Sequence, residues 1–364
     1  MKLTIERDVY LAALTKVSGT VQAKNTLPIL GHIYHKAEGN TLTLRATDLD
    51  LEVTTKVECD VEQDGECTLP ADLLNGILKK YKKGPIVTLD ATGNRATINQ
   101  GRSRFNLSML SAEDYPKLAS EDYDASFTMA ADDLDRIIGK TLFAVTTEET
   151  KWHISGVHFH GTDDGISAVG TDGQRLAKAW CDQKEDFQPV TIPRKTVSEI
   201  RKVLDIGNVD VSVSETKIKI DTGDTVIVSK VIDAAYVDYN SVIPQGLKDN
   251  FRIDATEFST AASAVALVCE DKRARGVKVG IGSGEVSLSV SGQDNDAENV
   301  VEAMTYGGEC EIGFSSKYLA DVLAQAEGGD VDFFYDAEKP MTPALIKTTE
   351  DDQFLAVVMP LRMT

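Results

Sequence analysis

The sequence has little cysteine, little histidine, few aromatic residues and a deficit of positive charge. Its 364 residues hold five cysteines, five histidines and 6% aromatics. Cys59, Cys67, Cys181, Cys269 and Cys310 are odd in number, and no pair has CxxC spacing. That argues against a disulfide frame or a cysteine zinc site and fits reduced thiols in a cytoplasm. No run approaches the roughly 18 apolar residues of a membrane span. The N-terminus MKLTIERDVY places Glu6, Arg7 and Asp8 where a secretory leader needs an apolar core. A cytoplasmic chain without a membrane partner is therefore expected. No GxSxG, Walker A or HExxH pattern is present. Lys and Arg total 38 against 58 Asp and Glu, a net charge of −20. Spread evenly, such a charge would exclude nucleic acid as a partner, because phosphate attracts cations. One absence is local: FLAVVMPLRMT (354–364) contains no acid and a single charge, Arg362.

What is present is enough to fold. With 42% hydrophobic and 26% charged residues the chain can bury real cores, and its length suggests two or three domains. It also repeats internally. LTIERDVYLAAL (3–14), FTMAADDLDRII (127–138) and FRIDATEFSTAA (251–262) each begin with alternation and pass into a helical pattern. Their apolar helix positions align as Tyr10/Leu134/Phe258 and Ala13/Ile137/Ala261, at an offset of about 124 residues. That is far beyond the solenoid periods of ~20–50 residues.

A second segment repeats in the same order: CTLPADLLNGIL (67–78), VTIPRKTVSEIRKVL (190–204) and CEIGFSSKYLADVL (310–323). Each reads as a short strand and then an amphipathic helix. Pro70 and Pro193 suit helix starts, and Ser315 is a candidate N-cap. A third segment follows each helix, at 85–110, 208–231 and 331–360, alternating with period two between turn signals. These predict antiparallel meanders with one buried face. Three domains of one α+β plan result, near 1–120, 125–245 and 248–364, each with two helices and many strands. The breaks YPKLASEDYDAS and IPQGLKDN carry Pro, Gly and charge, as linkers do.

The charge is not spread evenly. Lys79, Lys80, Lys82 and Lys83 follow one helix pattern, Arg194, Lys195, Arg201 and Lys202 lie on another, and Lys272, Arg273 and Arg275 end a third. Arg7, Lys16, Arg136 and Lys140 add to the first helix of two repeats, while acids concentrate in stretches such as DVEQDGE, DQKED and TTEDD. Cations near helix C-termini answer the macrodipole. The same bias on corresponding helices of a repeat points further, to a shared basic surface. Like domains in a row that curve, joined by heterologous contacts, can close a ring. Duplex DNA in such a hole would be met through its phosphates, without sequence readout.

Two features would fit an enzyme instead. His158 and His160, with His153, have a metal-like spacing, since alternate strand residues share a face. No carboxylate or cysteine cluster joins them, and ordinary strand histidines are the simpler reading. TDGQ (171–174) would fit an Asp-based catalytic turn, but Gly after Asp is a common turn signal. A repeat adhesion module would need a secretory leader and no clustered cations on corresponding helices; both expectations fail.

The residues carry a resemblance. NTLPILGH (25–32), GRSRFNLSML (101–110), GTDGQRLA (170–177), TIPRK (191–195), ARGVKV (274–279), IGFSSKYLADVL (312–323) and VVMPLRM (357–363) occur in order along the whole chain. Together they resemble the bacterial sliding-clamp family, the β subunit of DNA polymerase III. The resemblance implies three DNA-clamp domains with sheets outside and two helices per domain lining a ring. It implies a head-to-tail homodimer around duplex DNA, associated with the nucleoid, without catalytic activity, cofactor or metal. Its implied partners are the replicative DNA polymerase, the clamp loader, other polymerases and mismatch-repair proteins, bound through short apolar peptides.

Carried over by motif, the family's peptide pocket falls on Ile154, Thr171, Gly173, Gln174, Arg175, Leu176, Val237, Val242, Tyr318 and Ile346. The last strand adds Val357, Val358, Met359, Pro360, Leu361 and Arg362. Arg175 and Arg362 are expected to hold peptide carbonyls or an acidic residue. Burying about 300 Å² of peptide at ~25 cal/mol/Å² gives roughly 7 kcal/mol before ordering costs, suited to partners that exchange. The implied DNA-facing residues are Lys24, Lys79, Arg102, Arg104, Lys151, Trp152, His153, Arg194 and Lys195, with Asp72 where the family has a basic residue. The implied seam sets Phe105 and Leu107 against Leu267 and Val268. The chain departs from the family at Gln174 (often His), Val237 (often Pro) and Ala274 (often Phe or Tyr), and it runs past the usual end, to Thr364. FLAVVMPLRMT is then the last strand of the third repeat, with Phe354 to Val358 finishing a sheet and Met359, Pro360 and Leu361 forming a pocket wall.

Overall fold

The computed structural model describes residues 1–21, 27–118, 122–269, 276–292 and 294–362. Lys24, Lys272, Arg273, Ala274, Arg275, Met363 and Thr364 lie outside the described residues. Six α-helices form among them: α1 (Arg7–Ser18), α2 (Ala71–Lys80), α3 (Ala131–Leu142), α4 (Arg194–Val203), α5 (Ala255–Val265) and α6 (Ser316–Leu323).

Each repeated opening is a strand that runs straight into a helix: Lys2–Glu6 into α1, Ala125–Ala130 into α3, Asp249–Asp254 into α5. The aligned apolar positions are core positions. Tyr10, Leu134 and Phe258 are at most 1% exposed, and Ala13, Ile137 and Ala261 at most 3%. Strands Gly65–Pro70, Val190–Pro193 and Cys310–Ser315 lead into α2, α4 and α6, with Pro70 and Pro193 at the caps. Ser315 holds the cap position of α6, but its hydroxyl makes no capping bond. The side-chain cap is on α5 instead, where the Asp254 carboxylate accepts the Glu257 N–H at 2.8 Å. Asp-x-x-Glu at 254–257 is a capping signature that the sequence reading passed over.

The chain divides into two compact units, Met1–Asp135 with Asp186–Ile232, and Arg136–Glu185 with Asp233–Thr364. The division passes through the middle repeat because the sheets do not stop at repeat boundaries. In the first unit, strand Leu51–Glu58 pairs antiparallel with Thr225–Lys230, Leu51 opposite Ser229, inside an eight-stranded sheet. A five-stranded sheet beside it ends on Ser103–Ser108. In the second unit, Arg175–Cys181 pairs with Phe354–Val358, Arg175 opposite Val358. A four-stranded sheet there ends on Asp296–Glu302 at one side and Cys310–Ser315 at the other. Within the first unit α1 packs on α2; within the second α5 packs on α6. Phe251, Phe258, Phe314 and Phe333 fill the second core, with Phe251 stacked on Phe333 at 4.9 Å.

The basic surface expected along the helices is smaller than the sequence implies. Arg7 is buried, and its Nε and Nη2 donate to the Leu78 and Lys79 carbonyls at 2.7 and 3.3 Å, closing the C-terminus of α2. Lys16 pairs with Asp224, Lys140 with Asp351, Arg201 with Asp135 and Lys202 with Glu199, all at 2.6–2.7 Å. Arg136 donates to the Trp180 carbonyl and the Gln353 amide oxygen, each at 2.7 Å. Several of these partners are far along the chain, where helical spacing gives no sign of them.

His35 is fully buried. Its Nδ1 lies 2.9 Å from the Ile33 carbonyl and must donate there, so Nε2 accepts the Tyr10 hydroxyl at 2.8 Å. Burial pushes the imidazole down to about 4 from its ordinary 6.5. The folded state therefore favours the neutral ring, while the unfolded chain takes up a proton below 6.5. Stability from this group is complete above that value and declines as pH falls towards 4, by about 2 kcal/mol between pH 6.5 and 5. Urea midpoints at pH 7.5 and 5 should fall less for His35→Gln than for the parent protein; equal falls would show that His35 does not carry the effect.

Candidate functional site

The turn Thr171–Arg175 organises the second unit's site. Its conformation follows from Thr-Asp-Gly. The Thr171 hydroxyl donates to the Arg175 carbonyl at 2.7 Å and accepts the Gly173 N–H at 3.1 Å. Asp172 Oδ1 accepts the N–H groups of Gln174 and Arg175 at 2.9 and 3.0 Å. Gly173 sits at φ +88°, where a side chain would be strained. The turn opens strand Arg175–Cys181, and the Met359 N–H donates to the Gln174 carbonyl at 2.9 Å. One antiparallel register thus brings TDGQRL and VVMPL together.

Arg175 is 7% exposed. Its Nε donates to Asp172 at 3.1 Å, Nη1 to Asp321 at 2.6 Å and Nη2 to the Phe143 carbonyl at 2.8 Å. Its guanidinium also lies 4.5 Å over the Tyr318 ring. Three of the Arg175 donors are thus taken by Asp172, Asp321 and Phe143, so it fixes the turn and Tyr318, and any hold on a peptide would use the donors that remain. Burial raises the Tyr318 phenol. Asp172, Asp321 and Phe143 were not foreseen as its holders; only Asp172, within TDGQ, had a local signal.

Beneath the turn, Val169, Leu176, Tyr239 and Val357 form a buried cluster, with Tyr236, Ile243, Leu345 and Leu355 packed against it. Val237 and Val242 are 39% and 42% exposed at its side. Gln174, Arg362, Tyr318, Met359 and Leu361 are also exposed or half-exposed. Ile154, Thr171, Leu176, Val357, Val358 and Pro360 are buried supports. Ile346 is wholly buried between Ala356 and Phe333 in the sheet, so it backs the site and does not line it. His158 stacks on Tyr236 at 4.4 Å, and His160 Nε2 meets the Tyr239 hydroxyl at 3.1 Å. Burial lowers both imidazoles, His158 to about 4. Among the described residues no three His, Cys, Asp or Glu side chains are grouped to hold a metal.

The first unit contains the same turn with different contents. Leu49 N–H donates to the Thr47 hydroxyl at 3.1 Å, and Asp48 Oδ1 accepts from Asp50 and Leu51 at 3.1 and 2.8 Å. Leu49 takes the glycine-like φ of +79°. Leu51 stands where Arg175 does, and Glu52, 7% exposed, stands in the place of Leu176. Glu52 accepts the Leu118 N–H at 3.1 Å, burial holds its carboxyl above the usual range, and Asp50 pairs with Lys230 at 2.8 Å. Charge fills this copy, and an apolar cluster floors the other.

The remaining sequence-derived residues divide. Lys79, Arg102 and Arg104 are exposed, as are Lys80, Lys82, Lys83 and Asp72. Trp152 is 55% exposed and its edge meets His153, which is half-buried. Lys151 is tied to Glu148 at 3.2 Å and to the Asp172 carbonyl at 3.1 Å. Lys195 is tied to Asp48 at 2.5 Å and the Thr20 carbonyl at 3.0 Å, and Arg194 is half-buried. Phe105 is 43% exposed on an edge strand and Leu267 is 85% exposed. Val268 is half-buried, whereas Leu107 is 7% exposed and faces inward. No described helix is long and apolar enough to cross a membrane.

Comparison with known proteins agrees along the whole chain. Models of the DNA polymerase III beta subunit match in order: the N-terminal domain over 1–119, the central domain over 128–238 and the C-terminal domain over 240–362. The chain is 36% identical over 375 residues to the beta sliding clamp of Caulobacter vibrioides, and 29% identical over 369 residues to that of Escherichia coli, each alignment covering 100% of both chains. A solved sliding clamp (DNA polymerase III subunit beta) from Bartonella birtlesii, bound to griselimycin, superimposes with a TM-score of 0.94 at 34% identity, over 100% of both chains. A Caulobacter crescentus beta sliding clamp gives 0.93 at 36%, over 100% of this chain and 99% of that one.

Removing Arg175 takes the ion-pair partner from Asp172 and Asp321, whereas Arg362 pairs with no acid among the described residues. Arg175→Met should cost about 2 kcal/mol of stability in urea unfolding, and Arg362→Ala less than about 0.5 kcal/mol. Equal losses would contradict the inward role of Arg175.

Proposed function

The chain belongs to the family of the bacterial DNA polymerase III β subunit, the sliding clamp and non-catalytic processivity factor, and on that premise we propose that it encircles duplex DNA as a head-to-tail homodimeric ring. The three repeats form domains near 1–120, 125–245 and 248–364, and the ring works in the cytoplasm, on the nucleoid. Its pocket at Thr171–Leu176 and Val357–Arg362 takes the apolar peptides of the replicative polymerase, the clamp loader, other polymerases and mismatch-repair proteins. The observation that carries the pocket reading is the pairing of Arg175 with Val358, which sets the apolar tip Met359–Leu361 beside the 171–175 turn above a buried apolar cluster. The first unit's copy of that turn, filled by Glu52 and the Asp50–Lys230 pair, is closed to an apolar ligand.

Two features favour the ring. Strands Ser103–Ser108 and Asp296–Glu302 each end a sheet, and their exposed Phe105 and Val300 leave apolar edges. Such edges pair with another chain or aggregate, and head-to-tail pairing of two copies would use both. Leu267 and Val268 complete the proposed seam. Among the described residues Lys79, Arg102 and Arg104, helped by Lys80, Lys82 and Lys83, make no ion pair with an acid and would meet phosphates. Lys151 and Lys195, already engaged, would contribute less. The acidic remainder of the surface would keep DNA away from the outside.

Equilibrium sedimentation at micromolar concentration should give the mass of a dimer. Leu267→Ala combined with Val268→Ala should shift the equilibrium towards monomer. A parent protein that is wholly monomeric would refute the ring, and an unchanged mass in the double variant would refute this seam.

A further inference from the structure

We propose that a groove beside the C-terminal tip holds the residues flanking a partner's apolar motif and favours flanks that carry a carboxylate. The inference rests on the reading of Thr171–Leu176 and Val357–Arg362 as a peptide pocket. The groove has a volume of about 520 Å³ and lies within the second compact unit. Leu361 and Arg362 line it, together with Lys278, Ser289, Ile312 and Met341. Because Leu361 and Arg362 belong to both places, a peptide lying along Met359–Arg362, about 10 Å at ~3.3 Å per residue, reaches the groove without leaving the surface.

The groove offers an extended chain something to bond. Strand Cys310–Ser315 ends its sheet, and the Leu361 N–H donates to the Gly313 carbonyl at 2.7 Å across an isolated bridge. That bridge sets the C-terminal tip on the rim of the groove, so a flank that follows Met359–Arg362 meets Glu311, Ile312 and Gly313, which line it. Side-chain specificity then comes from the groove itself. Met341, 51% exposed, supplies an apolar contact.

The charge decides which flank fits. Lys278 pairs with Glu311 at 3.2 Å, with side chains 41% and 68% exposed, a pair loose enough to be remade. Arg362 is exposed and pairs with no carboxylate among the described residues. The groove is thus locally positive in a chain of net charge −20. A carboxylate bridging Lys278 and Arg362 would be drawn there and away from the rest of the surface.

The test is a fluorescence-polarisation titration of the full-length protein. The probe is a Leu/Phe-rich pentapeptide from the cognate replicative polymerase, used alone or extended by Gly-Glu-Glu or Gly-Lys-Lys on either side. On one side the Glu extension should tighten binding about fivefold, and the Lys extension should not. Lys278→Glu should bind the bare pentapeptide as the parent does, which also reports its folding, and should lose the gain from the Glu extension. No gain on either side, or a gain that survives Lys278→Glu, overturns the inference and leaves the pocket standing. Failure of the bare pentapeptide to bind overturns the pocket reading and this inference with it.

Discussion

Antiparallel pairing across repeat boundaries is the constraint on which the rest depends. The hairpin strand Arg175–Cys181 of the second repeat bonds to Phe354–Val358 of the third, and Leu51–Glu58 of the first bonds to Thr225–Lys230 of the second. A repeat therefore cannot satisfy its own sheet. This explains why the compact units cut through the middle repeat, and why sheet edges remain at Ser103–Ser108 and Asp296–Glu302. In the proposed ring a second copy would continue the same rule. The proposed pocket is a by-product of that pairing, because the last strand delivers its tip to the turn that opens the neighbouring strand.

The two copies of the turn set one backbone conformation over different surroundings. Thr47 and Asp48 accept the corresponding backbone N–H groups that Thr171 and Asp172 accept. What differs is the residue behind the turn. Leu176 joins an apolar cluster, while Glu52 is buried and claimed by the Leu118 N–H. An apolar peptide over Glu52 would leave a carboxylate to be desolvated, which is costly. Leu49 keeps a backbone conformation that Gly173 adopts without strain, a sign that the turn is fixed by its bonds and not by the residue at its centre.

Much of this was legible in the sequence because it is periodic. Tyr10, Leu134 and Phe258 announce themselves by spacing, as does the alternation that becomes the strand Phe354–Val358. The tail's lack of acids matches the place of Phe354–Val358 inside a nine-stranded sheet, between Arg175–Cys181 and Ala344–Thr348. What the sequence could not show was who claims each charge. Arg175 finds Asp321 146 residues away, and Arg7 finds the Leu78 carbonyl 71 residues away. Spacing along a helix says which face a cation shares, but not whether an acid or a carbonyl from another element already meets it. The same limit hid the burial of Ile346 and Leu107, whose strands alternate in the expected way while the sequence leaves open which face is covered.

Encirclement is the central claim, and DNA topology tests it most directly. Protein loaded onto nicked circular DNA by its clamp loader should remain bound through gel filtration and be lost once the circle is cut at a single site. Equal retention on circular and linear DNA, or equal loss from both, would contradict a ring held by topology.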